Sequence, residues 1–87
     1  MNARTYTAEE LMGILELNTA YGKMAEVANL AASAEIGALS ARGYLADVVD
    51  KDTRDKLREL ADAALNITLE ADRIQAALGA IRREVQA

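Results

Sequence analysis

The fold of this chain is decided by residues 57–85, which read LRELADAALNITLEADRIQAALGAIRREV. Nine apolar residues recur there at alternating spacings of three and four: Leu57, Leu60, Ala64, Ile67, Ala71, Ile74, Leu78, Ile81 and Val85. A repeat that averages 3.5 residues keeps an apolar stripe on the side of a helix that faces a neighbouring helix. The stretch therefore predicts a long helix with a heptad seam that packs against another helix.

A second seam of the same kind precedes the first. Thr7 followed three residues later by Glu10 is the pattern of a capping box, which predicts that a helix begins near Ala8. The apolar positions of this helix again alternate between spacings of three and four: Leu17, Ala20, Met24, Val27, Ala31, Ala34, Ala38, Ala41, Leu45 and Val48. Two seams of similar length predict two helices that pack along each other.

The segment between the seams is the polar stretch at residues 49–53, in which Asp52 or Thr53 is suited to cap the second helix. So short a connection makes the helices antiparallel neighbours. We therefore predict a single all-α domain over residues 1–87, a hairpin with helices at about 8–49 and 53–86 and a turn at 50–52. A break of the first helix near residues 18–22 is an open alternative, because Gly22 is suited to end a helix.

Composition supports helices and excludes several kinds of site. The chain has no Pro and only three aromatic residues, and it is rich in Ala, Leu and Glu. It has neither Cys nor His, so disulfides, thiolate ligands and imidazole ligands or bases are absent, and we expect no metal site, no cofactor and no enzymatic activity. A net charge of −4 argues against binding to duplex nucleic acid. No apolar run is long enough to span a membrane, and we expect a cytoplasmic protein of a bacterium or, if it is viral, of the host cell.

Apolar residues outside the two seams predict self-association. They are Leu11, Ile14, Leu15, Leu30, Ile36, Leu39, Leu65 and Leu69. One hairpin hides only the stripe between its helices, so these side chains need cover from another subunit. We expect a homo-oligomer, most simply an antiparallel dimer of hairpins that forms a four-helix bundle. The centre of the first helix, residues 28–43, is dense in small residues, which predicts either a close helix contact or only high helix propensity.

One cluster of basic and aromatic residues is a candidate ligand site. Folding about the turn brings these residues to the open end of the hairpin: Lys23, Arg82 and Arg83, with Tyr21 or Tyr6 and with Arg4 nearby. Arg and Tyr side chains can clamp a phosphate group and stack on a base. The competing interpretation is that cations in the last turn of a helix complement its dipole.

In size, acidity and paired seams the chain resembles small phage-encoded inhibitors of bacterial defence, some of which are helical oligomers that sequester nucleotide signals. The hairpin with an Ala-rich helix also resembles secreted proteins of the WXG type, but its turn has no Trp-x-Gly. The function that we predict is non-catalytic: an oligomeric helical protein that acts on a protein partner through its helical faces. The alternative, which the phage resemblance implies, is sequestration of an anionic, nucleotide-like small molecule between subunits.

Overall fold

The computed structural model describes residues 5–86, which form two long antiparallel helices. Helix α1 spans Ala8–Tyr44 and helix α2 spans Lys51–Gln86. They form an extended hairpin of 65 × 17 × 17 Å, which confirms the all-α antiparallel fold. The alternative break does not occur, because α1 runs through residues 18–22 and no glycine of the described chain has a positive φ.

Helix α1 begins with the capping box that the sequence predicts. The backbone N–H of Glu10 donates to Thr7 Oγ1 over 3.1 Å, and the backbone N–H of Thr7 donates to Glu10 Oε1 over 3.0 Å. Two amides at the start of the helix are thereby satisfied by side chains. Both Glu9 and Glu10 also stand near the positive end of the helix dipole.

The connection between the helices is longer than predicted. Helix α1 ends at Tyr44, and residues 45–50 form a turn in which Leu45 O accepts from the N–H groups of Val48 and Val49 at 2.9 and 3.0 Å. The cap of α2 is Asp50, and neither Asp52 nor Thr53 takes this role. Asp50 Oδ1 accepts from the backbone N–H of Thr53 over 2.8 Å, so α2 begins at Lys51.

Two arginines fasten the helices to each other beside the turn. Arg54 Nη1 donates to Ala46 O over 2.8 Å, and Arg42 Nε donates to Arg54 O over 3.2 Å. The first bond satisfies a carbonyl just past the end of α1, where no intrahelical partner exists. Both bonds join residues that face each other across the hairpin, so they help to set how the two helices align.

The buried core of the hairpin consists of small residues. Within the described chain the buried residues are Ala28, Ala31, Ala61, Ala64, Ala71 and Gly79. Ala61 is only 1% exposed. Small side chains at these positions let the two backbones approach closely. Of the two interpretations of the Ala-rich centre of α1, the close helix contact is therefore the one observed.

The contact between the helices is rotated relative to the predicted seams. On α2 it uses Leu57, Ala61, Ala64, Thr68, Ala71, Gln75, Leu78, Arg82 and Val85, all buried or half-buried. At every second position of the predicted seam, the contact uses the next residue along the chain instead of the predicted one. Leu60, Ile67, Ile74 and Ile81 are instead exposed, so their assignment to the contact within one hairpin was wrong. The rotation brings small residues between the helices and leaves the bulky, branched ones beside them.

Candidate functional site

Two features of the hairpin are candidates for function, and the first is its open end. The guanidinium of Arg82 lies over the Tyr21 ring, 4.7 Å from its centroid, in cation–π geometry. Tyr6 approaches the same end from the segment before α1, and its hydroxyl donates to Val85 O over 2.8 Å. Three of the residues predicted for a ligand site are thus brought to one end of the molecule.

The remaining predicted ligand residues are less well placed. Lys23 Nζ forms an exposed ion pair with Glu26 Oε2 at 3.3 Å, so it is turned along its own helix. Arg83 is exposed, and its Nη1 lies 3.7 Å from the position that a Cβ on Gly79 would occupy. Arg4 lies outside the described residues. Among the residues predicted for the ligand site, the guanidinium of Arg82 therefore lies directly against an aromatic ring, that of Tyr21.

A cavity of about 430 Å³ opens at this end of the hairpin. It is lined by Tyr6, Glu10, Gly13, Ile14, Leu17 and Val85. Glu10 is the only ionisable carboxylate in this lining, and its Oε1 already accepts the Thr7 amide. The cavity is apolar rather than cationic. Of the predicted basic residues that the structure describes, Lys23, Arg82 and Arg83 do not line it. Gly13 and Leu17 line it because of where α2 ends relative to α1, which the sequence pattern does not indicate.

The electrostatics of the described residues are those of a solvated surface. Ion pairs join Lys23 to Glu26, Lys51 to Asp55 and Arg73 to Glu70, all on exposed side chains three or four residues apart. Such pairs contribute little to stability. The pKa of Asp50 is lowered mainly by the hydrogen bond from the Thr53 backbone, with the Thr53 side chain and the Arg54 charge adding to the effect. Residues 5–86 contain no group of three or more acidic side chains that could hold a metal ion.

The second candidate feature is the amount of large apolar side chain left exposed along the rod. Within the described chain these residues are Leu11, Met12, Leu15, Val27, Leu30, Ile36, Leu39, Tyr44, Leu45, Val48, Leu60, Leu65, Ile67, Leu69, Ile74 and Ile81. Val48, for example, is 78% exposed. Neither described helix is long and apolar enough to cross a membrane. Exposed apolar surface of this extent is typical of proteins that self-associate.

Helical geometry sorts these side chains onto two flanks of the hairpin. We define the outer stripe as Leu60, Ile67, Ile74 and Ile81 of α2, and the small stripe as Gly13, Ala20, Val27, Ala34 and Ala41 of α1. Residues seven apart lie on one line along a helix that packs in this way, so each stripe is continuous. Neither stripe contains a charged residue.

The two stripes lie on the same side of the hairpin. In an antiparallel pair, residues displaced in the same rotational sense from the contact line share a side. Each residue of the outer stripe and of the small stripe comes one position before a residue of the contact, so both stripes are displaced in the same sense. Gly13 of the small stripe also lines the cavity together with Val85. We call this side, formed by the outer and small stripes, flank one.

The opposite side of the hairpin is more interrupted by charge on α2. We define flank two by the large apolar residues Leu11, Leu15, Ile36, Leu39, Leu65 and Leu69. On α2 these alternate with charged residues such as Arg58 and Asp72. Flank two therefore offers separate apolar patches, whereas flank one is an uninterrupted apolar surface.

Comparison with known proteins does not identify a relative. The chain matches no protein-family model, and neither a curated protein nor a solved structure matches it significantly. The candidate function is therefore argued from the geometry alone.

Proposed function

We propose that this protein is a self-associating helical interaction protein that has no catalytic activity and acts on a protein partner through its apolar flanks. One observation carries the proposal: the buried positions inside the hairpin hold small residues, whereas most of the large apolar residues are exposed outside it. Ala and Gly make up the buried core, whereas Ile67 and Leu69 are 53% and 58% exposed.

The energetic consequence of this inversion supports assembly. Burying a methyl or methylene group contributes about 0.8 kcal/mol, whereas fully burying a Leu or Ile side chain contributes about 1.5–3 kcal/mol. A core of alanines therefore gives the single hairpin little hydrophobic stabilisation. No large side chain of the described residues is fully buried, and the chain has no Cys to form a disulfide, so association of its exposed Leu and Ile residues adds the burial that the hairpin lacks.

The mass in solution tests the self-association. Light scattering after size exclusion at low micromolar concentration is expected to give at least twice the chain mass of 9.3 kDa. Circular dichroism on the same sample should show a mostly helical protein, because 37 and 36 residues lie in the two helices. A helical, cooperatively folded monomer would overturn the proposal.

Action on a protein partner is assigned to flank two, since flank one is the more continuous surface and the better suited to self-association. A photo-crosslinking amino acid at Leu39 should give a discrete band above the mass of the homo-oligomer when the protein is irradiated in its native cell. The matched control is Ser40, an exposed neighbour outside both flanks. Equal labelling from both positions would show that flank two contacts no specific partner.

A second candidate function is capture of an anionic, nucleotide-like molecule at the open end, and the Arg82 guanidinium stacked on Tyr21 is the observation that favours it. Native mass spectrometry of the purified protein should then show a small copurifying mass. The double variant Arg82→Ala and Arg83→Ala should remove that mass, and circular dichroism should show that it is still helical. Arg83→Ala alone, at an exposed position, should change stability by no more than about 1 kcal/mol. A clean apo mass would leave the interaction function alone.

A further inference from the structure

We infer that a second copy of this chain covers flank one, and that the two hairpins run antiparallel, with their turns at opposite ends of a four-helix bundle. This inference rests on the proposed self-association and adds to it the face, the direction and the alignment of the subunits. The occupant is a second copy because flank one matches itself in shape, length and charge.

The first support is the position of the two heptad seams. The predicted seam of α2 contains the residues of its outer stripe together with Leu57, Ala64, Ala71, Leu78 and Val85, which belong to the contact with α1. In a four-helix bundle each helix touches two neighbours and turns the surface between those contacts toward the centre. A partner on flank one makes these seams the centre of the bundle. Polar residues such as Glu35, Gln75 and Arg82 then lie at the rim of the contact within each hairpin.

The second support is the symmetry of the stripes. Ile67 and Ile74 are equidistant from a point between residues 70 and 71, and so are Leu60 and Ile81. A two-fold axis at that point places Ile67 against Ile74 of the second copy, as an isologous interface requires.

The same axis crosses the small stripe between residues 30 and 31. Tyr21 packs against Gly79, position 30 lies nine residues after Tyr21, and position 70 lies nine residues before Gly79. About this point Val27 faces Ala34 of the second copy and Ala20 faces Ala41, so the one large residue of the small stripe meets a small one. A single axis therefore serves both helices.

Charge at the edge of flank one selects the antiparallel arrangement. Next to the outer stripe, α2 carries Lys56, Ala63, Glu70, Ala77 and Glu84 at seven-residue intervals. The proposed axis sets Lys56 against Glu84 of the second copy, twice in the dimer. Glu70 lies on the axis, where its ion pair with Arg73 at 3.3 Å offsets its charge. With both turns at the same end, Glu84 would instead oppose Glu16 of the second copy, and like charges would meet.

The area of the face is sufficient for a stable dimer. A side of the rod measures 65 × 17 Å. This is roughly 1,100 Å², which exceeds the ~800 Å² that each partner buries in an interface of standard size. Leu30, next to the small stripe and close to the axis, would meet its own copy across this interface.

Cysteine crosslinking tests the arrangement, since the chain has no Cys of its own and every disulfide must come from an introduced residue. Purified Glu70→Cys and Leu30→Cys variants are oxidised mildly and run on a non-reducing gel. Each is expected to form a disulfide-linked dimer by itself, because both positions lie close to the axis. Asn66→Cys, exposed and on the outward surface of α2, is the matched control and should remain at the background level.

The possible outcomes separate the two proposals. A dimer that forms only when Glu70→Cys and Leu30→Cys are mixed means that both turns lie at the same end, and the antiparallel arrangement is wrong. No crosslinking above the Asn66→Cys background, in a protein that light scattering shows to be oligomeric, overturns the inference and leaves the self-association intact. A monomer overturns both.

A charge reversal provides an independent measurement. Lys56→Glu should weaken dimerisation about three- to tenfold, since two exposed pairs become repulsive. The double variant Lys56→Glu with Glu84→Lys should restore the original dissociation constant. If the double variant is as weak as the single variant, Lys56 and Glu84 do not meet and the alignment is wrong.

Discussion

The buried positions of the inner contact and the outer stripe of flank one lie on neighbouring faces of the hairpin, yet they differ in the size of their side chains. The inner contact buries Ala and Gly, while flank one exposes Leu, Ile and Val. In an independently folded hairpin the larger side chains would be expected inside, because they contribute more hydrophobic stabilisation. We therefore propose that the contact within one chain sets how closely the helices approach, and that association through flank one supplies the hydrophobic stabilisation that the small core does not.

The largest effect on association is expected from a charge placed on flank one. Ile67→Asp should raise the dissociation constant of the oligomer roughly 100-fold or more, because a carboxylate would be buried without a partner at the centre of the interface. The measurement is sedimentation equilibrium over a range of concentrations, with circular dichroism to follow the coupled loss of helix.

Leu69→Asp is the matched control, since Leu69 is as exposed as Ile67 in the hairpin but belongs to flank two. It should leave the dissociation constant nearly unchanged. Equal effects of the two substitutions would mean that exposure alone, and not the flank, governs association.

The second prediction tests the inner contact. Ala61→Leu should destabilise the protein by about 1–3 kcal/mol, because a larger side chain at a fully buried position forces the helices apart. Ala76→Leu, at an exposed position of the same helix, should change stability by less than about 0.5 kcal/mol. The measurement is urea unfolding at one protein concentration. A neutral Ala61→Leu would mean that the helices are not held closely by their small residues.

Much of this fold could be predicted from local sequence signals. Thr7 with Glu10 located the start of α1, and the spacing of apolar residues gave two long antiparallel helices. The rotation of the contact could not be predicted, because Leu60 and Ala61 both lie on the apolar side of α2 and spacing alone does not show which one faces α1. The cap was misplaced at Asp52 or Thr53 because several polar residues in the turn are equally good caps.

The candidate site was predictable only in part. Chain reversal at the turn was enough to bring Tyr21 and Arg82 together, since their positions depend on the alignment of the helices alone. The side chain of Lys23 could not be placed this way, because a local partner, Glu26, competes for it one turn away. The cavity depends on where α2 ends relative to α1 and on the return of Tyr6 to Val85, and no residue pattern indicates either.

The third prediction compares the change in stability on replacing two glycines by Ala, Gly22 of α1 and Gly79 of α2. Gly22→Ala should stabilise the protein by about 0.5–1 kcal/mol, because Ala is the better helix former and a Cβ there meets nothing within 4 Å. At Gly79 a Cβ would lie 3.1 Å from Tyr21 Cε2, so the ring must shift and the gain in Gly79→Ala should be reduced or reversed. Thermal unfolding of both variants is the measurement. Equal stabilisation would show that Tyr21 does not pack tightly on Gly79.

The smallest expected effect concerns Asp50, the cap that joins the turn to α2. Its pKa in the folded protein lies below the ordinary value of 3.8, mainly because the Thr53 amide donates to the carboxylate. The stabilisation is therefore complete above the ordinary pKa and is lost as the pH falls through the lower, folded value.

Asp50→Asn keeps a neutral cap and removes this titration, whereas Asp50→Ala removes the cap at every pH and should lower the melting temperature by a few degrees. Melting curves between neutral and strongly acidic pH should show the advantage of the native chain over Asp50→Asn shrinking only at the acidic end. A difference that stays constant with pH would mean that the carboxylate charge adds nothing to the cap.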